Sequence, residues 1–229
     1  MRSDASKVRL FDGFAVVGKA LSSGRRLELL DVLAQGPRSV EHLAAEIGQS
    51  VANTSSHLQV LLRAGLVSTE RDGNRVVYRL AGEEVEVLWA ALRATSESHA
   101  AALDRLAADY LGDRSELQTV TRAELAERLR HEPRPVVLDV RPAAEFLAGH
   151  LPGAVSVPPD ELAGRVQRLP KDSDVVAYCR GPFCIYADDA VRALRRRGLR
   201  AVRLEDGFPE WRRAGLPVAA GDDERPPVA

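Results

Sequence analysis

The sequence predicts two domains of different class: a mainly α unit closed by a β-hairpin, then an α/β unit built on a parallel sheet. Three observations predict it. Apolar residues recur at helical spacing through the first third of the chain and then give way to a hairpin pattern. In the second half, the short runs Val136-Val137-Leu138 and Val175-Val176-Ala177 alternate with helical segments, as buried parallel strands do. A length of 229 residues accommodates either one large domain or two ordinary ones.

Composition sets the outer bounds. A hydrophobic share of 45% and a charged share of 28% are those of a soluble globular protein. No run of 18 apolar residues exists, so no membrane partner is expected. The opening MRSDASKVRLFDGF lacks the apolar stretch and cleavage site of a secretory signal, and a cytoplasmic location is the expectation. With 32 basic and 33 acidic residues the net charge is -1, so charge alone does not point to nucleic acid. Cys179 and Cys184 are the two cysteines, too few for a disulfide-stapled scaffold or a four-cysteine zinc site.

In the first half, Phe14, Val17 and Leu21, then Leu27, Leu30 and Leu33, mark two helices split at Ser22-Ser23-Gly24. Ser39 is placed to cap the helix VEHLAAEIG, and Ser50 to cap VANTSSHLQVLLRAG, with Gly48 and Gly65 as stops. Val67–Glu70 and Arg75–Leu80 read as strands joined around Asp72-Gly73. A single long helical stretch then runs from about Glu83 to Leu111. Two short helices followed by a hairpin make a winged helix-turn-helix, which sets its second helix in the major groove and its wing on the neighbouring backbone. With Leu58, Leu61 and Leu62 facing inward, Val51, Asn53, Ser55, Ser56 and Gln59 are the candidates for the DNA side. Asn and Gln suit adenine edges; Arg63, and Arg71, Asn74 and Arg75 in the wing, suit phosphate or minor-groove contacts.

The stretch LAAEIGQSVANTSSHLQVLLRAGLVSTERDGNRVVYRL resembles the core of the ArsR-type winged-helix repressors. Ser55-Ser56-His57-Leu58, Leu61, the Ala64-Gly65-Leu66-Val67 corner and the Gly73-containing wing carry the likeness, over about Phe11 to Leu111. It implies a homodimer bound to double-stranded DNA at an imperfect palindrome. The first and last helices of the domain would form its interface, and the stripe Val85, Leu88, Leu92 and Leu103 suits either that role or an intramolecular core. Thiolate metal sensing does not carry over, because no cysteine precedes Cys179. His42, His57 and His99, even with Glu97 and Asp104 near the last, make a sparse ligand set, and neither metal nor cofactor is expected.

In the second half, helical segments lie at Glu124–Leu129, Ala143–Ala148, Glu161–Leu169 and Ala187–Arg197, with a linker near Gly112–Gln118 and a frayed tail at GDDERPPVA. The two domains are thus 1–112 and 119–220. The informative segment is Val175 to Tyr186: a strand ends at Cys179, a Gly-Pro loop turns, and a helix begins. Reactive groups sit outside the carboxyl ends of strands in such folds. Loop and helix N–H groups there lower a thiol pKa or cradle an anion, and Arg180 adds charge, so Cys179 is expected to be exposed and reactive.

This half resembles the rhodanese domain. Leu138-Asp139-Val140-Arg141, Glu145-Phe146, Gly149-His150-Leu151-Pro152-Gly153-Ala154 and Val157-Pro158 match its front. Tyr178-Cys179-Arg180, Leu204-Glu205-Asp206-Gly207-Phe208, Trp211 and Ala214-Gly215-Leu216-Pro217-Val218 match its back. The resemblance implies that Cys179 is the nucleophile that carries sulfane sulfur as a persulfide, with Asp139 and Arg141 as structural or electrostatic support and Trp211 as packing. One departure matters. Many such domains close the loop with an arginine five positions after the nucleophile; here that position is Cys184. Thiosulfate would lack that partner, while a Cys179 persulfide or sulfenic acid gains a thiol to resolve it. Packing of Cys184 as a small hydrophobe is the equal alternative.

The halves together predict a dimeric transcriptional regulator whose DNA binding responds to persulfide formation or oxidation at Cys179, with small sulfur species such as polysulfide or thiosulfate as partners. The alternatives are a sulfurtransferase, or a thiol-dependent arsenate reductase, that uses its DNA-binding half for targeting or autoregulation. A third is a C-terminal module that only binds a partner or stiffens the dimer.

Overall fold

The structure, a computed structural model, describes residues 4–169 and 173–221; the expectation of a frayed end beyond Gly221 lies outside them. The chain divides into two compact units, Met1–Ala100 and Ala101–Ala229.

The first unit begins with helices α1 (Asp4–Leu21) and α2 (Gly24–Ala34), split at Ser22-Ser23 as the spacing predicts. A two-residue strand β1 (Arg38–Ser39) precedes α3 (Val40–Glu46) and α4 (Val51–Arg63). Both expected caps form: the Ser39 hydroxyl accepts from the His42 N–H at 3.5 Å, and that of Ser50 from Asn53 at 3.2 Å. Strands β2 (Val67–Asp72) and β3 (Arg75–Leu80) make the wing, and β1 adds to β3 to give the order β1-β3-β2. Each wing strand pairs as far as Asp72 and Arg75, so the turn is Gly73-Asn74, tighter than the four-residue turn read from the sequence. Gly73 takes φ 57 at its first position, which a side chain would strain. Leu29, Leu30, Leu43, Leu58 and Leu61 form the core.

The long helix expected over Glu83–Leu111 is two helices, α5 (Glu83–His99) and α6 (Leu103–Leu111), and the break falls at the boundary between the units. Near the end of α5 the Thr95 hydroxyl donates to the Ala91 carbonyl at 2.7 Å, and that of Ser96 to Leu92 at 2.9 Å. Such back-bonding competes with helix continuation. The stripe from Val85 to Leu103 is therefore not one surface: Val85 is buried in the first unit's core, Leu88 is exposed, and Leu103 belongs to the second unit.

The second unit carries a five-stranded parallel sheet in the order β4-β8-β7-β5-β6. Its strands are β4 (Thr119–Val120), β5 (Val136–Asp139), β6 (Val155–Ser156), β7 (Asp174–Cys179) and β8 (Arg200–Gly207). Helices α7 (Arg122–Arg128), α8 (Ala143–Ala148), α9 (Leu162–Arg165), α10 (Ile185–Arg196) and α11 (Phe208–Arg213) connect and cover them. Alternation along β7 decides what each face holds. Val175, Ala177 and Cys179 pack with Ala190, Val191 and Leu194 of α10, whereas Val176 and Tyr178 pack with Leu125, Phe146, Phe208 and Trp211. Residues 113–118, read from the sequence as linker, are bound along α10. Arg192 donates to the Asp113 carbonyl at 2.8 Å, Arg195 to the Glu116 carbonyl at 2.5 Å, and Leu117 packs on the α10 core. Among the described residues, no helix is long and apolar enough to cross a membrane.

Candidate thiol site and nucleic-acid interface

Central strand β7 ends at Cys179, and Cys184 is the N-cap of α10, so the loop Arg180–Phe183 joins a strand end to a helix start. The Cys184 N–H donates to the Gly181 carbonyl at 3.1 Å, which closes a tight turn. The turn brings the two Cα atoms to 6.2 Å, inside the span of a disulfide, and the two sulfurs are bonded. Cys179 is only 1% exposed and Cys184 is partly buried. The expectation of an exposed Cys179 is thus corrected: in the disulfide form its sulfur faces the α10 core and is bonded to Cys184.

The loop rests on Gly207. A methyl group built there would lie under 3.0 Å from the carbonyl carbon and oxygen of Arg180 and from the Gly181 nitrogen. Only a glycine lets β8 and the loop approach so closely.

Asp139 and Arg141 do not reach the thiols. Both are fully buried on the opposite face of the sheet, where strand alternation also puts Tyr178. Arg141 pairs with Asp139 at 2.5 Å, donates to the Gly149 carbonyl at 2.7 Å, and lies 4.3 Å over the Phe208 ring. The Tyr178 hydroxyl donates to Asp139 and accepts from the Leu151 N–H at 3.1 Å. Burial pushes the Tyr178 phenol well above its usual pKa, and the Asp139 charge adds to this. Burial opposes the Arg141 charge, but Asp139, Tyr178 and Glu145 together outweigh it and raise the guanidinium pKa. This cluster fixes the ends of β5 and β7 from behind. Arg180 is committed to buried Glu145 on α8, with contacts of 2.5 and 3.0 Å.

Sequence reasoning missed Arg114. Its guanidinium donates to the Pro182 carbonyl at 2.7 Å, to the Cys184 carbonyl at 3.2 Å and to Asp188 at 2.5 Å. Asp188, buried in the first turn of α10, also accepts from Arg203 at 3.2 Å. Burial and then the nearby Arg114 charge depress the Arg203 pKa. Nothing in the residues around Arg114 could have signalled this, because its partners lie 68 to 74 positions away.

In the first unit, Val51, Asn53, Ser56, Gln59 and Arg63 are exposed on α4 and Ser55 is half-buried, while Thr54, Leu58 and Leu61 face the core. Arg71, Asn74 and Arg75 are exposed on the wing. Exposed Arg79, which pairs with Glu70 at 3.5 Å, is a further wing cation that the sequence reading did not single out.

Residues 23–69 match the family described as bacterial regulatory protein, arsR family, and residues 121–214 match the rhodanese-like domain. The HTH-type transcriptional regulator Rv0324 of Mycobacterium tuberculosis is 48% identical over 215 residues, 94% of each chain. The chain belongs to the ArsR family of regulators. Behind its winged helix-turn-helix this regulator carries a rhodanese-like domain. A sulfurtransferase of Allochromatium vinosum is 35% identical over 97 residues, 42% of this chain and 89% of that one. A solution structure described as a homodimeric winged helix-turn-helix DNA-binding domain of Mb0332 from Mycobacterium bovis is 45% identical. It covers 43% of this chain and 91% of that one, with a TM-score of 0.41.

Proposed function

We propose that this regulator is a homodimer that binds double-stranded DNA at an imperfect palindrome, and that the thiol state of Cys179 and Cys184 sets its affinity. The observation that carries the reading is the Cys179–Cys184 disulfide, in a chain whose DNA-reading half has no cysteine. For the dimer, α1 exposes Val8, Leu10, Phe11, Phe14 and Val16, more apolar surface than a helix facing only water carries. For the DNA, α4 and the wing expose the polar and basic side chains that read base edges and phosphates.

In the reduced protein the Cys179 thiolate attacks the outer sulfur of a polysulfide or small persulfide, RS–SH. The RS–S bond breaks, RS⁻ leaves, and Cys179 carries S–SH. The Cys184 thiolate then attacks the Cys179 sulfur, forms the disulfide and expels HS⁻. The two cysteines lose two electrons between them, and the departing sulfur gains both and keeps its proton. A peroxide follows the same path through a sulfenic acid, with hydroxide as the second leaving group. Thiosulfate is the poorer partner: Arg180 is paired with Glu145, and a thiol stands where a fifth-position arginine would bind its charge. Asp139 and Arg141 position the strand ends and touch no sulfur species.

The test is fluorescence anisotropy on DNA from upstream of the gene, at one stated salt concentration, with reduced and polysulfide-treated protein. A change in affinity that disappears in Cys179→Ser supports the reading; binding indifferent to treatment refutes it. A sulfurtransferase is the second reading, favoured by the likeness to the A. vinosum protein. Sustained thiocyanate formation from thiosulfate and cyanide, lost in Cys179→Ser, would establish it, whereas arrest after one turnover as the disulfide excludes it.

A further inference from the structure

The segment that enters the rhodanese-like domain is tied to the thiol loop through one side chain. Backbone carbonyls of Asp113 and Glu116 are bound by Arg192 and Arg195 of α10, which anchor the strap 113–118 on that helix at two points. Arg114 differs in what it holds. Two of its bonds go to carbonyls of the loop, at Pro182 and Cys184, and the third to Asp188. Asp188 is shared with Arg203, so two guanidinium groups face one carboxylate. Arg203 is buried and its Nε lacks a hydrogen-bond partner, so the site is short of acceptors. The loop carbonyls supply what Asp188 cannot, and a charged donor loses most when such acceptors move. The Cys184 carbonyl belongs to the residue whose sulfur is bonded to Cys179, so opening the disulfide frees that acceptor to shift.

We propose that Arg114 is a positioning residue that reads the state of the Cys179–Cys184 pair and passes it to the strap leading into the domain. This rests on the regulatory reading above for its biological use, but not for its mechanics. With the disulfide closed, Arg114 is held by both carbonyls and the strap is ordered. With the disulfide opened, Arg114 keeps Asp188 alone beside the Arg203 charge, and the strap loosens. Linkage makes the effect reciprocal: a contact that favours the closed disulfide is lost when the disulfide is reduced, and removing the contact favours reduction to the same extent.

The experiment uses the full chain in two forms, disulfide-closed and reduced by a water-soluble phosphine. The phosphine supplies two electrons and becomes its oxide with oxygen from water, and the two sulfurs become thiols. The probe is hydrogen exchange at the Leu117 amide, which donates to the Arg114 carbonyl at 2.9 Å. In the wild type its exchange is expected to rise on the order of tenfold on reduction. In Arg114→Gln it is already fast in the closed form and changes less than about twofold on reduction. The equilibrium constant for closing the disulfide against glutathione, which exchanges two thiols for one disulfide on each side, falls in Arg114→Gln by the same factor as the exchange rises. Arg114→Lys, which keeps the charge but not the fork, gives an intermediate response and serves if the glutamine variant does not fold. A wild-type strap indifferent to reduction, or a glutamine variant with the full wild-type response and an unchanged glutathione equilibrium, overturns the proposal. A strap that responds while DNA affinity does not refutes the regulatory reading and leaves this one supported.

Discussion

Gly207→Ala is the sharpest perturbation of the thiol loop. The backbone at Gly207 has φ -125 and ψ -172, which any residue adopts, so the cost is one of space and not of conformation. The added methyl meets the Arg180 carbonyl and the Gly181 nitrogen at under 3.0 Å, and ordinary contact begins at 3.4 Å. Backbone cannot rotate away as a side chain does, so the loop must move. Overpacking of this kind costs roughly 1–3 kcal/mol. At about 4 °C per kcal/mol for a unit of this size, the Tm of the second unit falls by roughly 4–12 °C. The displacement also moves Cys184 relative to Cys179, and a misplacement near 1 Å slows a positioned reaction on the order of tenfold to hundredfold. Gly149→Ala is the control, because its methyl would meet the far end of the Phe208 ring at 2.8 Å and a ring can pivot. Calorimetry and stopped-flow measurement of disulfide closure after polysulfide read both effects. A Gly207→Ala protein that melts within about 1 °C of wild type and closes its disulfide at the same rate would refute the claim that β8 supports the loop.

Four other outcomes are expected, two in each unit. Cys184→Ser treated with polysulfide is expected to gain one sulfur atom on Cys179 by mass spectrometry, whereas the wild type loses two hydrogens; a disulfide dimer of the variant through Cys179 would count against Cys184 as the resolving thiol. Arg141→Met leaves Asp139 buried opposite an apolar chain and destabilises the second unit by about 3–5 kcal/mol, read by urea denaturation. Gln59→Ala on α4 weakens specific DNA binding by about 1–3 kcal/mol and relaxes the choice of base, while Arg71→Ala on the wing weakens all sequences alike and lowers the salt slope by about one per site contacted.

Much of the fold was legible because it is decided locally. Ser39 and Ser50 cap their helices with hydroxyl groups three residues from their targets, and Gly73 turns the wing on its own conformational freedom. The β-branched runs of β5 and β7 are flanked on both faces by core and read accordingly. What escaped depends on partners far along the chain. Strand β8 sits between β4 and β7, yet its sequence RAVRLEDG is charged; buried Arg203 is tolerated because Asp188 on α10 meets it. Two-residue strands β1, β4 and β6 are too short to show a period. The thiol pair was legible as a motif, while the burial of Cys179 depends on α10 packing against its strand, and the roles of Asp139 and Arg141 on a face that alternation alone assigns.

The unequal burial of the two cysteines would give the proposed switch a direction. A reducing thiol arriving from solvent meets Cys184, the partly buried partner, before Cys179, which is 1% exposed. A mixed disulfide would then form on Cys184, with the Cys179 thiolate as leaving group beside the α10 core. On the proposed mechanism, sulfur would enter through one cysteine and electrons return through the other. Set and reset would then use different atoms, and their rates would answer separately, the first to the supply of sulfane sulfur and the second to the size of the thiol that must fit against the start of α10.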